Sequence, residues 1–385
     1  MRHQNSVFHE VLKHIPWGVF DRLVATHGAD AKARHLSSKS HLIAMLYGQF
    51  SGAAGLREIE TGLQSHAGQL YHLGIGTVAR STLAEANAYR PAAVFNGLFS
   101  ALAAQLQSGY RRKINDAVRL IDSTGLRLSG LSGKWASFSD GVCGAKAHIV
   151  YDPDADQPLY AAITPANVND ITAAKQMPIE PGATYVFDLG YYDFGWWATL
   201  HNGNCRIVTR LKTNTPLAVI EERAVAAGGP VVSDRIGHLP KRLAAARKNP
   251  MNVPVREVRV RIETGKILRI FTNDLDISAE QVAAYYKRRW AIELFFRWVK
   301  QTLKIRHFLG TSENAVRIQI AVALIAFLLL RAAQAASSTL ESPLAFVRLI
   351  RANLMHRRNI NSLLEPQTQK PPDNQQFTFN FVRTS

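Results

Sequence analysis

The chain has 385 residues, enough for two or three domains with at least one substantial core, which excludes a peptide hormone or a disulfide mini-protein. Lys and Arg number 46 against 29 Asp and Glu, a net charge of +17, so the partner is expected to be anionic, either nucleic acid or an acidic membrane surface. At 47% hydrophobic and 19% charged residues the chain is too apolar for disorder.

The two cysteines, Cys143 and Cys205, stand far apart without a CxxC pair, which fits a reducing cytosol rather than a zinc module or a disulfide framework. The opening residues Met1 to Asn5 lack the apolar core of a signal peptide. The longest apolar run, Ile320 to Leu330, is short of the roughly 20 residues of a membrane span. The expectation is therefore a cytoplasmic protein with nucleic acid as partner and no membrane.

In chain order, helical patterns cover Phe8 to Leu23, Ser40 to Phe50, Gly55 to Leu63 and Pro91 to Gln107. Between the last two, Ser81 or Thr82 can cap a short helix. From it Arg80, Asn87 and Arg90 either face DNA, as in a helix-turn-helix, or belong to an ordinary capped helix. From Ala117 the pattern changes to short β-branched and aromatic runs. These are Val118 to Asp122, Lys146 to Tyr151, Leu159 to Thr164, Thr184 to Asp188 and Arg206 to Arg210. Helical patterns at Asn169 to Gln176 and Phe194 to His201 alternate with the later strands, so the fold class is α/β with a mixed sheet. A second strand-rich stretch, Pro216 to Asp276, carries Arg256, Arg259 and Arg261 on strand surfaces. Ser278 and Gln281 then match a capping box, and helical sequence runs to about Leu354 before a Pro, Gln and Asn rich tail from Glu365.

The helix from Ser278 is the most informative. At about 100° per residue, Tyr286, Arg289, Glu293 and Lys300 all fall within roughly 60° of one another, while Ile292, Phe295, Phe296, Val299 and Leu303 form a separate apolar stripe. An acid flanked by cations and a phenol suits a site that holds a metal and grips phosphate oxygens. The alternative is a solvated face with an Arg289 to Glu293 pair. Asp122 and Asp188 each end an apolar strand, where an acid needs a partner, a metal or a role as a turn or helix cap. In an open α/β sheet such strand ends border the functional crevice.

The pattern Tyr286-x2-Arg289-x3-Glu293-x6-Lys300 resembles the Tyr-Arg-Glu-Lys signature of DDE transposases of the insertion-sequence-four family. Asp122 in Leu-Ile-Asp-Ser-Thr, Asp188 in Phe-Asp-Leu-Gly-Tyr-Tyr, and Val208 to Lys212 resemble that family's two aspartate regions. The resemblance implies a ribonuclease H-like sheet interrupted by a mostly β insertion, preceded by a helical N-terminal DNA-binding domain. The implied division is 1–112 for that domain, 113–215 and 277–335 for the two parts of the catalytic core, 216–276 for the insertion, and 336–385 for a C-terminal helical segment and loose tail. It also implies a catalytic triad of Asp122, Asp188 and Glu293 holding two Mg²⁺ ions, with Mn²⁺ as substitute. Tyr286, Arg289 and Lys300 would contact phosphates, and Trp290 would stand beside a flipped base or else pack in the core; Arg210 and Lys212 are read as DNA contacts, with a solvated strand-edge charge the alternative for Arg210. The implied partner is double-stranded DNA, both element ends and target, bound by a homodimer on paired ends in the bacterial nucleoid. The implied reaction is cut-and-paste transposition through hairpin ends. The insertion lacks an aromatic residue before Phe271, so Trp290 has no obvious insertion partner for the base. A catalytically silent DNA-binding derivative and a non-transposing nuclease are the alternatives.

Three other signals are read as structural. Asp152, Asp154 and Asp156 imitate an EF-hand start, but Gln157 replaces the required Gly, so a hairpin loop is expected. His148 reads as a packed strand residue, and Lys146 as either a strand-edge charge or a phosphate contact. The apolar helix around Ile318 to Leu330 is expected behind the sheet.

Overall fold

The computed structural model describes residues 5–108, 117–242, 248–303, 308–337 and 342–364. Seven helices come first: α1 (Val7–Leu12), α2 (Trp17–Thr26), α3 (Ser38–Ser51), α4 (Leu56–Ser65), α5 (Leu70–Leu73), α6 (Arg80–Tyr89) and α7 (Ala92–Ser108). The single helix expected from Phe8 to Leu23 is two, because Pro16 disfavours helical backbone before it and becomes the N-cap of α2. Ser81 and Thr82 cap nothing. The N-cap of α6 is Ala79, and the Arg80 N–H instead donates to Glu60 Oε1 at 2.9 Å.

The sheet region follows with β1 (Val118–Leu128), α8 (Gly133–Ala136), β2 (Ser137–Ser139), β3 (Val142–Asp152), β4 (Gln157–Pro165), α9 (Asp170–Ala174), β5 (Thr184–Val186), α10 (Phe194–Asn202) and β6 (Arg206–Arg210). The second strand-rich stretch gives β7 (Ala218–Arg223), β8 (Val231–His238), β9 (Val255–Arg261) and β10 (Ile267–Thr272). The remaining helices are α11 (Ala279–Arg288), α12 (Trp290–Thr302), α13 (Glu313–Ala336), α14 (Pro343–Asn353) and α15 (Ile360–Leu364). The tail expected from Glu365 lies outside the described residues.

All ten strands join one sheet in the order β2-β3-β1-β5-β6-β10-β9-β8-β7, with β4 also paired to β3. Strands β1, β5 and β6 are parallel, and the other pairings are antiparallel. The stretch expected as an insertion is thus no separate sheet, since β10 hydrogen bonds to β6 and carries the same sheet outward. Its strand arginines are largely neutralised. Arg256 is buried against Asp234 at 2.7 Å, and Glu257 takes both Arg259 and Arg269, leaving Arg261 exposed. A guanidinium taken out of water needs such a partner.

Helix α13 has the length and apolarity to cross a membrane, yet 89% of its apolar window is buried inside the protein. It lies against α3, α6, α7 and β4, and Phe327 meets the rings of Phe295 and Trp298 on α12. The amino-terminal helices therefore share one core with the sheet. The other sheet face is covered by Trp196 and Trp197 of α10 with Tyr191, and Trp197 packs on Phe271 at 4.5 Å. The β3–β4 turn is the expected hairpin, with Asp156 in the left-handed region at φ 51°. Its acids are paired: Asp152 with Arg119, Asp154 with Arg288 on α11, and Asp156 with Arg331 on α13.

Asn87 and Arg90, considered for DNA contact, are buried. Asn87 Oδ1 meets His41 Nε2 at 2.8 Å, and Arg90 donates to the carbonyls of Leu36 and Ser37. They close the start of α3, and only Arg80 of the three is exposed. Burial holds the His41 imidazole down at about 3 against the partial support of Asn87. Below pH 6.5 the unfolded chain binds a proton there that the folded chain does not, so stability rises with pH between about 3 and 6.5 and is lost on acidification. The melting temperature should fall as pH drops from 7 to 5, and His41→Gln should flatten that fall; an unchanged slope in thermal melts would exclude His41 as its source.

Candidate active site

Parallel register places the first two acids. Leu120 pairs with Val186, and Val186 with Val208, and two residues further along each chain stand Asp122, Asp188 and Arg210. With a side-chain period of two, these continue the face of Leu120, Val186 and Val208, which is packed by α12 and α13. All three sit toward the carboxyl ends of the parallel strands. Asp122 does not end its strand, as β1 continues to Leu128, but Asp122, Ser123 and Thr124 are only partly buried after a fully buried start. Asp188 follows β5 and caps the next turn, taking the Gly190 N–H at 2.8 Å.

The third acid arrives from the helical layer. Ser278 caps α11 by accepting from Gln281 N, while the Gln281 side chain turns to Tyr285 instead of closing the capping box. The helix expected to be continuous breaks at Arg289, where Arg289 N bonds back to Tyr286 O and Ile292 N to Arg289 O in three-residue turns. Arg289 keeps helical backbone angles in this tight turn (φ −50°, ψ −31°), and the consecutive arginines diverge, Arg288 pairing with Asp154 at 2.6 Å and Arg289 facing the site. Arg289 Nη2 donates to Glu293 Oε1 at 2.5 Å and Nη1 to Asp122 Oδ2 at 3.4 Å. One guanidinium thus spans the strand acid and the helix acid.

The electrostatics follow from that gathering. The Asp122 carboxyl is pushed up to about 6, first by burial and then by Asp188 and Glu293, against the Ser123 N–H and Arg289, which favour its ionised form. Burial also raises the Tyr286 phenol, which lies near Arg210, Arg289 and Asp188. Lys300, two turns beyond Glu293, lines a cleft of about 510 Å³ with Asp122, Thr124, Glu293 and Arg297. Tyr286, Arg289, Glu293, Asp122, Asp188 and Arg210 therefore form one cluster, with Lys300 at its rim. Trp290 is 51% exposed rather than packed in the core. Lys212 stands apart, with its Nζ 4.5 Å over the ring of Tyr192.

Among the described residues no three His, Cys, Asp or Glu side chains converge closely enough to hold a metal ion. Arg289 occupies the space between Asp122 and Glu293. The donor chemistry still suits a hard divalent cation, since all three acids offer carboxylate oxygen.

Several residues of this region are missed by the sequence reading. Ser123 donates its backbone N–H to Asp122 Oδ1 at 2.7 Å and its hydroxyl to Asp170 Oδ1 at 2.9 Å. Asp170 also takes Lys146 Nζ at 3.0 Å, which makes Lys146 an internal partner rather than a strand-edge charge. His148 is fully buried as a strand residue, with Nε2 2.8 Å from Thr164. The sequence offers Asp170 only as an acid in the first turn of a helix, a common surface feature, so nothing there marks it.

These features match a known family. The family described as Transposase DDE domain matches residues 114–329, and a second, described as a domain of unknown function, matches 3–76. The chain belongs to the DDE-domain transposases. A transposase of Sinorhizobium fredii is 42% identical over 293 residues, 75% of this chain and 81% of that protein. A transposase of an insertion sequence element from Geobacillus stearothermophilus is 30% identical over 222 residues, 56% of each. Among solved structures, a piggyBac transposase in a synaptic complex with hairpin DNA aligns with TM-score 0.44 and 11% identity, over 96% of this chain and 84% of that one.

Arg289 lowers the Asp122 carboxyl that burial raises. Arg289→Gln should therefore move its titration upward from about pH 6, as read by carbon NMR on labelled aspartate; a midpoint that stays fixed or falls would contradict the bridge.

Proposed function

We propose that this protein is the transposase of an insertion sequence of the insertion-sequence-four family, which binds its element's terminal inverted repeats, excises the element through hairpin ends and joins it to target DNA. The observation that carries the reading is the register that aligns Asp122 and Asp188 beneath Glu293, with Arg289 between the first and last. The strand order β4-β3-β1-β5-β6, with β1, β5 and β6 parallel, supports a ribonuclease H-like catalytic sheet.

Asp122, Asp188 and Glu293 would hold two Mg²⁺ ions, with Mn²⁺ as substitute. Bound there, the ions would activate the attacking oxygen and stabilise the leaving one in a phosphoryl displacement. The chain's own residues do the rest. Arg289 must yield its carboxylates when a divalent cation takes them, which frees its fork for a phosphate beside Tyr286 and Lys300. Arg297 and Lys300 line the cleft beside Asp122 and Glu293, so positive charge stands where DNA would lie. Arg210 adds to that field, and Lys212 offers a more distant contact. Trp290, half exposed and three residues before Glu293, offers a ring for an extruded base. Phe271, the insertion's aromatic, is fully buried and cannot. A cleft at Lys32, Arg34 and Tyr89, all exposed, supports DNA contact by the amino-terminal helices, in place of the helix-turn-helix surface that buries Asn87 and Arg90. Action as a dimer on paired ends in the bacterial cytoplasm, at the nucleoid, completes the reading.

The test is purified protein with Mg²⁺ and a plasmid carrying the gene and its native flanks, with every new DNA end mapped. Wild type should cut at the bordering inverted repeats and leave hairpins on the released fragment. Glu293→Gln and Asp188→Asn should bind the repeats and cut nothing. Retained cleavage would remove those acids from the site. Binding without cleavage by wild type would support a silent derivative, and cuts without joined products a nuclease. Lys300→Ala should weaken repeat binding and reduce the salt slope by about 0.9, one phosphate's share; an equal slope would deny the phosphate contact.

A further inference from the structure

Behind the carboxylates lies a second polar layer that the reaction as described does not use. Asp170 opens α9 and stands between the two aspartate segments. Its Oδ1 takes the Ser123 hydroxyl at 2.9 Å and Lys146 Nζ at 3.0 Å. Ser123 is thereby fixed at both ends, because its backbone N–H holds Asp122 Oδ1 at 2.7 Å. On the other side, Asp170 Oδ2 and Asp188 Oδ1 both border Gly190, where an added β-carbon would meet them at 3.3 and 3.0 Å.

Tyr191 closes this layer. It is 1% exposed, and its hydroxyl is directed toward Ser123 among Asp122, Asp170 and Asp188 without meeting a hydrogen-bond partner in good geometry. A buried hydroxyl without a partner is costly. Lys146 and Asp170 are themselves anchored, as Lys146 also donates to the Val168 carbonyl at 3.0 Å.

We propose that Asp170 is a positioning residue of the metal centre, which through Ser123 fixes the orientation of the Asp122 carboxylate. This rests on the metal-dependent reading above. Asp170 is assigned a supporting role rather than a ligand's because Ser123 and Lys146 take its Oδ1. A buried carboxylate held by a fixed donor presents its free oxygen in one direction, and outer partners of this kind are typically worth about 10- to 100-fold in metal affinity.

The experiment titrates full-length protein with Mn²⁺ alone, counting free ion by electron paramagnetic resonance, and measures repeat-DNA binding without metal and the melting temperature in parallel. Asp170→Asn should keep the number of Mn²⁺ sites, weaken their affinity by about tenfold or more, and leave metal-free DNA binding unchanged. Ser123→Ala should shift affinity the same way by less, and it keeps the test open should Asp170→Asn fail to fold. Wild-type affinity in both variants would overturn the inference. So would a lost site, which would make Asp170 a ligand, or a parallel loss of DNA binding, which would make the defect structural. If wild type itself takes up no Mn²⁺, the metal-dependent reading fails and this inference falls with it; binding by wild type with no change in the variants overturns the inference alone.

Discussion

Like charges can be gathered in a partly buried place only where something offsets their repulsion. Parallel pairing of β1, β5 and β6 brings Asp122, Asp188 and Arg210 to neighbouring positions on one sheet face, and α12 lowers Glu293 onto them. The cost is visible in the raised Asp122 carboxyl. The offset is Arg289 on the front, bridging Asp122 and Glu293, and Lys146 on the back, neutralising Asp170. At the tight turn between α11 and α12 consecutive arginines diverge, Arg288 to Asp154 and Arg289 to the site.

The frame that holds this arrangement is a single core. Helix α13 inserts between the amino-terminal helices and the sheet, so its apolar faces are covered by protein on nearly every side. Its Phe327 supports Phe295 and Trp298 on the helix that carries Glu293, which couples the acid's position to packing far from the site. The β3–β4 hairpin adds polar ties through Arg288 and Arg331. Displacing α13 would therefore disturb the amino-terminal helices and the site together.

The positive charge is sorted by the same rules. Along β9 and β10 the arginines pair inside the sheet with Asp234 and Glu257, so their charge is spent on structure. In α11 and α13 as well, Arg288, Arg317 and Arg331 pair with Asp154, Glu313 and Asp156, while Arg289, Arg297 and Lys300 stand at the acidic cluster. A net charge alone cannot distinguish these uses, because alternation along a strand reads the same whether an arginine meets water or a buried acid.

Much of the fold and part of the site were legible in sequence. Strand runs, the hairpin of Asp152 to Asp156, and the apolar stripe from Ile292 to Leu303 follow from periods of two and 3.6, which short-range backbone geometry enforces. The spacing of Tyr286, Arg289, Glu293 and Lys300 is a local property, and with the two aspartate segments it pointed to a DDE transposase without a structure. Pairing across the chain was not legible. Asn87 and Arg90 have the composition of a DNA-reading helix, yet the neighbouring α3 and the residues from Ala29 to Ser37 bury them. Asp170 lies 47 residues from Ser123, and only the closing of α9 against β1 makes them partners. Extension of the sheet by β7 to β10, the burial of α13 and the bridge of Arg289 to Asp122 likewise depend on contacts between distant segments. Sequence determined which elements form and which chemistry they carry; tertiary structure decided which charges face one another, because burial and partner choice arise only when remote segments exclude water together.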